Sequence, residues 1–221
     1  MAKRPVKSET ALLEKWRIAL QNAQEQQEIA QQIAKYGFDA AKIEEGINLY
    51  SQTKQIWDAK QQEDLETLEA SVNFQEKKDQ LAQMYAAHRR RAKAKFKKQT
   101  IPLEKLQLSK QIPTRYAEWL EAVKKFYEEI AKPENETLKN DLLTYNTTEE
   151  ELTQAETLVI EVEKLRGKHV REQAESQDAT KLKNAALETM ADWMQAFYAM
   201  ANDALTENPQ LLEAIGIRRK S

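Results

Sequence analysis

The 221-residue chain has no cysteine, which removes disulfides, thiolate metal sites and cysteine nucleophiles from consideration. Helix breakers are nearly as scarce, with four glycines and five prolines in the whole length. Two histidines and no glycine-rich loop leave neither a catalytic triad nor a phosphate cradle assembled in the sequence. Di-iron bundles need a glutamate three residues before an inward histidine, but Tyr85 and Arg166 stand there before His88 and His169. No stretch approaches the roughly 18–20 apolar residues that cross a bilayer. The basic opening MAKRPVKSET is followed by no apolar run of the secretory kind. These absences set the expectation of a cytoplasmic protein that is not an enzyme, with no cofactor and no metal.

What is present is charge and helix formers. Asp, Glu, Lys and Arg make up 32% of the chain, yet the formal net charge is only −2, so the domain as a whole is not built to attract polyanions. Ala, Glu, Gln, Lys and Leu dominate, a mixture suited to long helices. The spacing predicts a helix over 8–35, a stop at Tyr36-Gly37-Phe38 with Gly37 as a left-handed cap, and an uninterrupted helix over 39–98. Ile43, Ile47, Tyr50, Trp57, Leu65, Leu68, Val72, Leu81, Tyr85 and Phe96 supply its three-four apolar pattern.

The second half follows the same plan. At an offset of 109 residues Tyr36-Gly37 meets Tyr145-Asn146, Ile43 meets Leu152, Ala92 meets Ala201, and the segment 102–108 meets 211–217. Residues 1–108 read as one helical repeat. Residues 109–221 read as a second, with a helix over 114–143 interrupted near Pro133, a long helix over 147–206 and a short one over 209–215. Thr147 and Glu150 have capping-box spacing before the second long helix. The fold class is therefore all-α: an elongated antiparallel bundle or coiled coil from an internal duplication, its two repeats intertwined in one domain. The competing arrangement breaks each long helix near Gln61 and Glu172.

Two stretches offer themselves as contact surfaces. Arg89, Arg90, Arg91, Lys93, Lys95, Lys97 and Lys98 crowd the end of the first long helix. Such charge can bind nucleic acid or an anionic membrane through counterion release, or it can complement the helix dipole and face a protein partner. At the matching place in the second repeat, Trp193, Met194, Phe197, Tyr198 and Met200 are apolar, as core or as a surface for a partner or self-association. The row Glu172, Glu175 and Asp178, at i, i+3 and i+6, could bind a divalent cation but reads first as a solvated face. The leading expectation is an interaction protein that presents its ends to protein partners, with polyanion binding through 89–98 as the alternative.

Overall fold

The computed structural model describes residues 8–217, and among these it is helical with no strand. In chain order the helices are α1 (Glu9–Glu25), α2 (Gln27–Ala34), α3 (Ala40–Lys95), α4 (Thr100–Lys105), α5 (Tyr116–Ala131), α6 (Glu136–Leu143), α7 (Glu149–Ala204) and α8 (Pro209–Ala214). The long helices α3 and α7 pack against each other, and neither breaks near Gln61 or Glu172. With no proline and only one glycine in each, every turn adds its backbone hydrogen bonds without a competing signal.

The local stops follow their chemistry. Ser8 Oγ accepts from Ala11 N–H at 3.3 Å to start α1. Gly37, at φ +86°, lets Phe38 N–H reach back to the Ile33 carbonyl at 3.2 Å and close α2. Asp39 Oδ1 then accepts from Lys42 N–H at 2.9 Å and opens α3. The helix expected over 8–35 is two helices, because Gln26 adopts an extended conformation (ψ 104°) between them. The expected interruption near Pro133 is a 3-10 turn over Pro133–Asn135. The cap of α7 lies one residue beyond its expected place. Thr148 and Glu151 exchange the capping-box bonds at 3.0 and 3.3 Å, while Thr147 is buried.

The described chain forms two compact units, and these cut across the sequence repeats. One takes residues up to Asp64 and from Glu175 onward. Its core joins Leu13, Trp16 and Leu20 of α1 to Ile29 and Ile33 of α2, Ile43 of α3, Met194 and Phe197 of α7, and Leu212 of α8. Burying each such side chain contributes about 1.5–3 kcal/mol. Asn22 Nδ2 donates to the Ala214 carbonyl at 2.7 Å and ties α8 to α1.

The other unit, Leu65–Ala174, is built from the corresponding pieces: α5 and α6, the second part of α3, the first part of α7, and α4. Its core holds Leu81, Tyr85, Phe96, Leu108, Trp119, Phe126, Tyr127, Leu142 and Val162. The recurring order is reflected in matched lengths: α3 and α7 have 56 residues each, α2 and α6 eight each, α4 and α8 six each. Left-handed backbone recurs too, at Gly37 and Asn146 and at Gln107 and Gly216.

Candidate functional site

The basic stretch 89–98 is sorted by the geometry of α3. Tyr85, Arg89, Ala92 and Phe96 lie at i, i+4, i+7 and i+11 on the face turned into the unit, and all four are buried. A buried arginine must have every N–H partnered or it costs several kcal/mol. Arg89 meets much of that demand with main-chain oxygens. It donates to Gln107 O at 3.0 Å, Leu108 O at 3.3 Å and Lys110 O, and to the Tyr85 hydroxyl at 3.4 Å. Its charge thereby clamps the chain just after α4, where Gln107 turns left-handed at φ +51°.

Arg91 and Lys95 are also engaged within the unit. Arg91 NH1 lies 2.9 Å from Glu151 Oε2. Lys95 Nζ lies 3.0 Å from Asp141 Oδ1 and 5.4 Å from the centre of the Tyr145 ring. Of the expected contact residues, these three cations hold α3 to the loop after α4 and to the α6–α7 end. Arg90, Lys93, Lys97 and Lys98 remain exposed.

His88, next in the chain, forms a polar cluster with no precursor in the sequence reading. It is 2% exposed. Its Nε2 faces Glu151 Oε2 at 3.2 Å and its Nδ1 faces the Tyr127 hydroxyl at 3.0 Å. A carboxylate only accepts, so Nε2 carries the proton and Nδ1 accepts from Tyr127. Desolvation is the larger effect on His88 and lowers its pKa, against the opposing pull of Glu151. Burial pushes the Tyr127 hydroxyl far above the ordinary phenol range. For Glu151 burial acts upward, but the Thr148 N–H, His88 and Arg91 together outweigh it and hold the carboxyl below its usual value. The capping glutamate of α7 is thus also the hub that fixes α7 to α3.

Arg90 and Lys93, with Lys110 across from them, line an open groove of about 760 Å³ whose inner edge is Arg89. No Asp or Glu lines it; Gln83, Ser109, Gln111, Ala86 and Ile112 complete it. Lys110 is brought to α3 by the Arg89 clamp, a pairing across a turn that helical periodicity does not reveal.

The apolar stretch of α7 is core. Met194 and Phe197 are 1% and 0% exposed, and Trp193, Tyr198 and Met200 pack against the same cluster half-buried. Trp193 stacks on Phe197 with ring centres 5.7 Å apart, and Lys15 Nζ sits 4.4 Å over the Tyr198 ring. The spacing that suggested a sticky surface is explained by α1, α3 and α8 enclosing this part of α7.

Exposed apolar side chains occur elsewhere. Leu65, Leu68 and Val72 of α3, counted in the sequence among the packed positions, are 56%, 60% and 45% exposed. In their unit α3 turns Thr67, Ala70 and Phe74 inward instead: Thr67 Oγ1 donates to the Glu172 carbonyl at 3.1 Å, and Phe74 stacks on buried His169 at 5.8 Å. Glu69, Glu76 and Asp79 are exposed along the same outer side of α3.

Compared with family models, curated proteins and solved structures, the chain matches none.

Proposed function

We propose that this protein is a non-enzymatic helical interaction module that receives a partner helix along the outer face of α3. The observation that carries the reading is the ridge Leu65–Leu68–Val72. Its i, i+3, i+7 spacing is that of a coiled-coil seam, and its three side chains stand about half in solvent. Each exposed side chain of this size withholds about 1–2 kcal/mol that a covering surface would recover. The neighbouring Glu69, Glu76 and Asp79 disfavour a second copy of the same acidic ridge and favour an amphipathic helix with cationic flanks. The same reading takes the recurring element order as the product of an internal duplication whose halves have diverged in surface chemistry.

The test uses a labelled synthetic helix with leucine on one face and lysine on its flanks, titrated into wild type and Leu68→Glu. Docking on the ridge predicts that Leu68→Glu weakens binding by about tenfold or more, the loss of one buried anchor. Electrostatic adsorption alone predicts the opposite, since the substitution adds negative charge. Equal or tighter binding by the variant overturns the proposal. So does light scattering that shows the wild type dimerising through the ridge, because a second copy would then be its occupant.

A further inference from the structure

The groove beside Arg89 is built differently from the rest of the basic stretch. Arg89, Arg91 and Lys95 are consumed by carbonyls and carboxylates of their own unit. No ion pair forms at Arg90, Lys93 or Lys110 among the described residues, and the three converge on one open groove with no acidic lining. Like charges brought together repel, and the Glu104 carboxylate, which accepts from the lining Ser109 hydroxyl at 3.3 Å, forms no ion pair with any of the three among the described residues. Here the main chain sets their approach. Arg90 and Lys93 are one turn apart on α3, and Lys110 is set by the hydrogen bonds from Arg89 to the main chain at 107, 108 and 110. Cations carried on a folded backbone meet a smaller ordering cost on binding than a flexible basic tail would.

We infer that this groove is an anion-binding site for a di- or polyphosphate group. A single carboxylate would compensate one of the three cations, whereas a diphosphate carries enough charge for all of them. Arg90 supplies a planar fork for bidentate contact with phosphate oxygens, and Lys93 and Lys110 supply mobile point charges. The amides of Gln83 and Gln111 and the Ile112 side chain border the space for the group to which the phosphates are attached, while the Ser109 hydroxyl donates to Glu104 Oε1 at 3.3 Å. Lys97 and Lys98, beyond the end of α3, are outside the groove and play no part.

Calorimetric titration with inorganic pyrophosphate tests the site directly, with ADP and a single-stranded oligonucleotide as parallel arms. Pyrophosphate is expected to bind wild type and to weaken as ionic strength rises from about 0.05 to 0.3 M. Each of Arg90→Gln and Lys110→Gln should lower affinity by about tenfold, one charge-assisted contact apiece. All three positions are exposed, and unchanged circular dichroism and melting would show that the fold is retained. Lys97→Gln/Lys98→Gln is expected to leave binding within about twofold. Tighter binding of ADP than of pyrophosphate assigns the phosphates to a free nucleotide, and displacement of pyrophosphate by the oligonucleotide assigns them to a polymer; both retain the site. Absence of pyrophosphate binding, or equal weakening by the 97/98 and groove substitutions, overturns it.

Discussion

The indole of Trp193 lies directly against Gly46: a Cβ placed on Gly46 would stand 2.3 Å from Cη2 and 2.5 Å from Cζ2 of that ring. Glycine in the interior of α3 costs about 1 kcal/mol in helix propensity, so its presence there has a packing reason. Gly46→Ala should destabilise the fold by about 1–2 kcal/mol despite the propensity gain, because the ring must be displaced from Phe38 and Phe197. Combining it with Trp193→Leu should remove most of that penalty. Urea denaturation of the single and double variants measures the coupling.

Gly167 provides the contrasting case. It sits within α7, and nothing lies within 4 Å of the position its Cβ would take. Gly167→Ala should therefore stabilise by about 0.5–1 kcal/mol through propensity alone. A rise in melting temperature without a change in the steepness of urea unfolding is the expected signature.

His88 gives the fold an acid sensitivity of definite sign. Burial lowers its folded pKa below 6.5, so the unfolded chain takes up the proton first as pH falls. The stability held by neutral His88 is complete above about pH 6.5 and is lost below it, at up to 1.4 kcal/mol per pH unit. The groups facing it are Glu151, Arg91 and Tyr127, and of these only Glu151 also titrates on the acid side, below its usual carboxylate range. Unfolding free energies measured between pH 7.5 and 5.5 should therefore slope in wild type and flatten in His88→Gln. An unchanged slope in the variant would place the sensitivity in other groups.

Arg89 should behave as a core residue despite its charge. Arg89→Met removes the donors to three main-chain carbonyls near Gln107 and should cost about 2–4 kcal/mol. Arg90→Met, one residue on and exposed, should stay within about 0.5 kcal/mol. Hydrogen exchange at residues 107–112 would rise in the first variant and not in the second.

Much of this architecture was legible because it depends on local rules. The scarcity of glycine and proline forces long helices. Gly37 and Asn146 mark the turns that precede them, since glycine, lacking a Cβ, and asparagine tolerate the left-handed conformation best. Continuity through Gln61 and Glu172 follows from the lack of any breaker there. The extended residue Gln26 was not legible, because glutamine carries no signal for leaving a helix.

The sites were legible in composition but not in assignment. Seven cations in ten residues announce a charged helix end, but their roles depend on which azimuth of α3 meets the chain after α4. Arg89 is buried because it lies on the face of Tyr85 and Phe96, while Arg90, one hundred degrees away, is left in solvent. Leu65, Leu68 and Val72 share the period of buried residues, and only the placement of Thr67 and Phe74 against α7 turns them outward. Lys110 joins Arg90 and Lys93 through a turn held by a side chain far back in sequence. The sequence by itself determined the helices and their ends, since these arise from backbone preferences within a few residues. The tertiary structure alone decided which polar groups became core and which apolar ones became surface, because burial is set by neighbours that the local period does not name.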